Sequence, residues 1–226
     1  MPEIWISTRR TDSFTLGQSR IGGRPDLPRL AWPRHRVAKS ETTSWPEWSL
    51  AELRDTLANG QVIEDGDHYA LALPFVAQLD LAELAAFDTP LPRTGHLWLF
   101  ADQQTTLGTI ENYPFQACAC LYRDRAELVA VEPPPTPETL PALALTFALG
   151  DGEQAEPRHA VMPDTFAGVI GDIPPPGYQG VLRVDSDYTL DETLNWGDAA
   201  WITFAIPPAD LAAGRWDAMR AFRFCG

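Results

Sequence analysis

Apolar and polar positions along this chain fall into short runs of strand length, set apart by turn residues. Gly180-Val181-Leu182-Arg183-Val184-Asp185-Ser186-Asp187 reads as a strand ending in acidic residues. Leu194-Asn195-Trp196-Gly197-Asp198-Ala199-Ala200-Trp201-Ile202-Thr203-Phe204 then breaks from a polar turn into a second strand. An earlier pair has the same order. Leu73-Pro74-Phe75-Val76-Ala77-Gln78-Leu79-Asp80 precedes Leu91-Pro92-Arg93-Thr94-Gly95-His96-Leu97-Trp98-Leu99-Phe100. The chain reads as two strand-turn-strand units, an internal duplication.

Shorter elements fit around these units. Glu3 to Ser7 predicts a strand, and the apolar run from Ala70 to Leu79 a single buried one. Ser49 to Asn59 predicts a helix, with Leu50, Leu53 and Leu57 on one face, Ser49 as cap and Asn59-Gly60 as stop. Asp80, with Glu83 three residues on, predicts one or two helical turns up to Phe87. Phe115 to Tyr122 and Glu127 to Val131 read as a hairpin around Arg123-Asp124-Arg125. Residues 140–149 form another strand, Pro157 to Gln179 a long Pro- and Gly-rich loop, and Ala209 to Phe224 a short helical region with a last strand.

Glu132-Pro133-Pro134-Pro135-Thr136-Pro137 is a stiff connector. It divides one α+β, β-rich domain over residues 1–226 into halves of about 1–131 and 138–226, with few short helices. Residues 34–70 carry the least pattern and read as an insertion or a lid.

Charge narrows the functional classes. The 226 residues carry a net charge of −14, with 45% hydrophobic residues and eight tryptophans. Such a chain repels phosphate backbones and anionic membranes, so nucleic acid and membrane are not expected partners and a basic protein is. Three cysteines, Cys118, Cys120 and Cys225, give no disulfide framework. The opening Met1-Pro2-Glu3-Ile4-Trp5 lacks a basic region followed by an apolar run. Both point to the cytoplasm.

Catalytic motifs are absent from the pattern. The chain has neither Gly-x-Ser-x-Gly nor a phosphate loop ending in Gly-Lys-Ser/Thr, and its only lysine is Lys39. Gly22-Gly23, with prolines following, reads as an ordered loop pinned by Trp32, not as a phosphate cradle. His35, His68, His96 and His159 have no zinc spacing, and Cys118-Ala119-Cys120 is no redox pair, so neither a metal nor a cofactor is expected. Asp185 and Asp187 would share a face if their strand continued, and with Asp198 they compose a candidate cation site. Their structural reading is turn capping. Trp196-Gly197-Asp198 is a candidate recognition patch, against a packed Trp, a positive-φ Gly and a turn-closing Asp.

Three blocks carry a family resemblance. They are Gly22-Gly23-x-Pro-x-Leu-Pro with Trp32-Pro33; Phe75-x-Ala-Gln78-Leu-Asp80-Leu-x-Glu83-Leu84 with Leu91-Pro92-x-x-Gly95-x-Leu97; and Leu182-x-Val-Asp185-Ser186-Asp187 with Trp196-Gly197-Asp198-Ala199. Together they resemble the bacterial YwqG-like family, also called DUF1963. Arg183 stands where that pattern usually has Gln, and Ala200 where it has Gly. The resemblance implies an α+β fold with a duplicated sheet and no established activity. It marks Gln78, Asp80, Asp185, Asp187, Trp196 and Asp198 as candidate binding residues, and Gly22, Gly23, Trp32, Gly95 and Gly197 as framework. The functional expectation is a non-catalytic, protein-binding accessory module, possible as an immunity partner to a toxin. The alternative is a small-ligand or divalent-cation enzyme using Asp185, Asp187 and Asp198.

Overall fold

A computed structural model describes residues 3–44, 47–102, 117–136, 139–150, 159–163, 177–190, 193–197 and 200–225. In chain order come β1 (Ile4–Arg10), β2 (Arg20–Ile21), β3 (Asp26–Leu27), β4 (Arg34–Ala38) and, after a short helical turn, α1 (Glu47–Ala58). Then follow β5 (Val62–Asp65), β6 (His68–Ala72), β7 (Phe75–Asp80), β8 (His96–Ala101), β9 (Cys118–Arg123) and β10 (Val129–Ala130). The remainder is β11 (Leu143–Leu149), β12 (Ala160–Val161), β13 (Gln179–Asp185), β14 (Ala200–Ile206), α2 (Pro208–Ala212) and β15 (Arg220–Cys225). Among the described residues no helix is long and apolar enough to cross a membrane.

Ten strands form one antiparallel sheet in the order β9-β8-β7-β2-β11-β1-β12-β13-β14-β15. Its end strands approach one another. There the Cys118 thiol donates to the Met219 carbonyl at 3.7 Å, so the sheet curls into a nearly closed barrel. Successive residues of a strand face opposite sides. Ile4 and Ile6, Leu143 and Leu145, Leu97 and Leu99, Leu182 and Val184, and Ile202 and Phe204 therefore all fill one interior. Each such side chain stabilises the fold by about 1.5–3 kcal/mol. On the outer side Trp98, Phe100, Phe75 and Leu27 pack beneath Trp32.

Three expectations change here. Residues 34–70 are not patternless: β4, β6 and β5 make a three-stranded sheet, and Val37, Val62 and Leu71 pack with Leu53 of α1. The signal there was weak because only one face of each short element is buried. The helix begins at Glu47, two residues before Ser49, and Gly60 at φ 79° follows it as the stop. The run from Ala70 to Leu79 is two strands in two sheets, split at Leu73-Pro74, because proline has no N–H to donate to a ladder. The expected hairpin is absent: β9 pairs with β8, whereas β10 pairs with β3. Pairing with β8 lets β9 bury both faces, Cys118, Cys120 and Tyr122 inward and Ala119 and Leu121 outward.

The sequence halves also interleave, since β1 lies between β11 and β12. On either side of β11 and β1 the sheet has the same local arrangement. β2 pairs with β7 at Arg20↔Gln78 and Ile21↔Ala77; β12 pairs with β13 at Ala160↔Arg183 and Val161↔Leu182. The β7–β8 ladder slips between Phe75 and Ala77, and the β13–β14 ladder slips between Gly180 and Leu182. The carbonyl of each intervening valine accepts one N–H: Gly22 donates to Val76 at 2.8 Å, and Met162 to Val181 at 3.0 Å. Both donors are left-handed, at φ 60° and 52°.

Candidate functional site

At the first of these positions, the polar side chains are held by one glutamine. Gln78 projects from β7 onto the outer face and is fully buried. Its Oε1 accepts the Asp26 N–H at 2.9 Å and the Trp98 indole N–H at 3.0 Å, and its Nε2 donates to the Gln18 carbonyl at 3.1 Å. The left-handed turn at Gly22 brings Asp26 back beside Arg20. A Cβ at Gly22 would stand 2.3 Å from the Pro141 carbonyl oxygen, so glycine is required there.

Arg20 and Asp26 form an ion pair, each side chain only 4% exposed. Asp26 also accepts the Gly17 N–H at 2.8 Å. Arg20 donates to the carbonyls of Arg24 at 2.7 Å, Gln18 at 3.3 Å and Thr15 at 3.5 Å, and lies 4.3 Å from the Phe14 ring centroid. Burial lowers the Arg20 pKa, Asp26 pulls it back up, and the charge of Arg24 lowers it further. These residues wall a cleft of about 520 Å³ whose lining includes Thr11, Asp12, Phe14, Arg20, Arg24 and Asp26.

The matching position beside β13 holds a different cluster. Arg183 makes two bonds to Asp185, at 2.6 and 3.1 Å, and lies 4.3 Å from the Trp201 ring centroid. The Asp185 N–H donates to His159 Nδ1 at 3.0 Å, which makes that nitrogen an acceptor and the ring neutral. His159 is 1% exposed. Burial lowers its pKa from 6.5, Asp185 and Asp187 oppose that, and Arg183 adds to it.

The sequence candidates divide accordingly. Gln78 is the hub of the first cluster. Asp80 accepts the Ala82 N–H at 3.0 Å, a turn cap, and donates its own N–H to Ser19 Oγ at 2.8 Å. β13 ends at Asp185, so Asp185 and Asp187 do not continue along one strand face. Asp187 instead accepts from the Thr189 N–H and hydroxyl, at 3.0 and 2.6 Å, and from the Leu190 N–H at 3.3 Å. Asp198 lies outside the described residues. Among the described residues no group of three His, Cys, Asp or Glu could hold a metal ion.

Trp196 corrects the recognition-patch reading. It is 2% exposed and packs in the same core cluster as Leu194 and Ala200. Its indole N–H meets no acceptor among the described residues. Gly197 does have a positive φ, 122°. Trp32 donates its indole N–H to the Leu73 carbonyl at 2.9 Å, and Gly23 and Gly95 are both left-handed. Burial pushes the Cys118 thiol up to about 11, and Cys120 well above its ordinary value, so neither is a ready thiolate.

Sequence reasoning missed Arg20, Asp26, His159 and Trp98. The first two carried a signal, an opposite-charge pair flanking Gly22-Gly23. A family model, described as Domain of unknown function (DUF1963), matches residues 19–169, about two thirds of the chain. No curated protein matches it.

Proposed function

The chain belongs to the DUF1963 family, whose function is unknown, and from that premise we propose that it is a non-catalytic, protein-binding accessory module with a basic partner. The observation that carries this reading is the net charge of −14. A field of that sign speeds encounter with a basic surface and repels nucleic acid. Acidic side chains that supply it, such as Asp12, Asp55 and Asp67, are exposed. The buried polar groups support the same reading, because Gln78, Asp26 and Asp187 are committed to bonds within the chain. They hold the fold and leave little for turning over a substrate.

The chain is read as one unit over residues 1–226, acting in the cytoplasm, and its two strand-turn-strand regions as copies of one ancestor. The paired ladder slips at Val76 and Val181 support the duplication. Affinity capture from native lysate at low and high salt tests the function. The wild type should retain a basic protein at low salt and release it at high salt, and Asp55→Asn/Asp67→Asn should retain less. Retention that ignores both salt and the two substitutions would end this reading.

A further inference from the structure

We propose that the cleft beside Arg20 and Arg24 binds a small molecule through an oxyanion group, a carboxylate or a phosphate, with the ligand's apolar part against Phe14. The cleft, about 520 Å³, has the size of a small-molecule site, which runs from about 300 to 1,000 Å³. Its floor is rigid. Arg20 is 4% exposed and held by three carbonyls, Asp26 and the Phe14 ring. Among the described residues its Nη1 has one acceptor, the Arg24 carbonyl, which leaves its second N–H for a ligand.

Arg24 supplies the second arm. Among the described residues its guanidinium reaches only Glu132, at 3.4 Å, with the two side chains 56% and 82% exposed. A pair that exposed contributes little, so a bound oxyanion can displace Glu132. The two guanidinium groups also repel one another, as the effect of Arg24 on Arg20 records. An anion between them relieves that repulsion. Asp26 and Arg20 neutralise one another, with the Gly17 N–H also on Asp26, so Arg20 contributes a hydrogen-bond donor and Arg24 the net positive charge. Asp12, on the same lining, disfavours chains of several anionic groups, so the fit is to one carboxylate or one phosphate group on a partly apolar molecule that Ala130, Ala142 and Phe14 can face. Distant acidic residues matter little, because salt screens charges beyond about 8 Å.

The test titrates the intact protein with benzoate and, separately, with inorganic phosphate at matched ionic strength. Calorimetry gives affinity and NMR follows the Arg20 Nε–H. Saturable binding of either probe is expected, with a shift of that resonance. Arg24→Gln should weaken it about tenfold, the scale of one charged hydrogen bond. Arg36→Gln, which removes an equal charge on distant β4, should leave it unchanged. Binding of benzoate alone assigns a carboxylate ligand, and of phosphate alone a phosphate ligand. No saturation by either probe, or equal weakening in both variants, or none in Arg24→Gln, overturns the proposal. The wild-type resonance stands as a readout even where a variant fails to fold.

Discussion

The outer faces at Gln78 and Arg183 share a backbone frame and differ in how they satisfy it. Beside β7, a neutral amide accepts two N–H groups and donates to one carbonyl, and the ionic pair lies next to it, with Arg20 opposite Gln78 on β2 and Asp26 on β3. Beside β13, the guanidinium is on the strand itself, paired to Asp185 and lying over Trp201. The N–H of Asp80 goes to a serine hydroxyl and the N–H of Asp185 to an imidazole. One ladder geometry therefore tolerates polar groups of different size and charge, provided the strand's own buried N–H finds an acceptor. Where the β7 strand meets the Ser19 hydroxyl, the β13 strand meets a buried imidazole, a group of the kind that changes charge near neutral pH.

The largest effect should come from the ion pairs. Asp26→Asn leaves the Arg20 charge buried without a carboxylate and is expected to cost about 3–5 kcal/mol in urea unfolding. Asp185→Asn leaves Arg183 its Trp201 face and some water, and should cost about 1–3 kcal/mol. Equal costs would mean that the two clusters are energetically alike.

Gln78→Leu comes next. It strands the Asp26 N–H and takes one of two donors from the Gln18 carbonyl, which keeps Arg20, with an expected loss of about 2–4 kcal/mol, while Trp98 keeps its bond to the Asp26 carbonyl. A loss under about 1 kcal/mol would show that the amide is not the hub its bonds describe.

The left-handed pair separates more finely. Gly22→Ala meets both the backbone penalty and the Pro141 carbonyl, and should lower stability by about 2–3 kcal/mol. Met162→Gly relieves a backbone penalty of about 1–2 kcal/mol but gives up a buried side chain worth about 1.5–3 kcal/mol, so its net loss is about 1 kcal/mol. Thermal unfolding reads both. A Met162→Gly variant less stable than Gly22→Ala would reverse the comparison.

The smallest effect is on pH dependence. The folded His159 pKa lies below 6.5, its ordinary value, so the unfolded chain takes up the proton first. The stability contribution is therefore complete above pH 6.5 and is lost as pH falls from 6.5 through the lower folded value. His159→Ser, which places the counterpart of Ser19 at this position, should flatten the slope in that window. His35, lowered mainly by burial, contributes the remainder. An unchanged slope in His159→Ser would locate the titration elsewhere.

Much of this architecture was legible before folding. Strand-length apolar runs marked β1, β8, β11, β13 and β14. Turn chemistry marked Asp80 and Asp187 as caps, and Leu50, Leu53 and Leu57 with the Asn59-Gly60 stop placed α1 within two residues. These signals are local: side-chain periodicity and Asp capping act within a few residues, so the order of residues suffices to set them. The pairing of β9 with β8, the place of β1 between β11 and β12, the burial of Trp196 and the cluster at Gln78 were decided by the tertiary structure. Gln78 and Asp26 are 52 residues apart, and Trp98 and Asp26 are 72. Partners so distant are chosen by which nearly closed sheet buries the most apolar surface while pairing most of its buried polar groups, a sum taken over the whole chain that no local run contains.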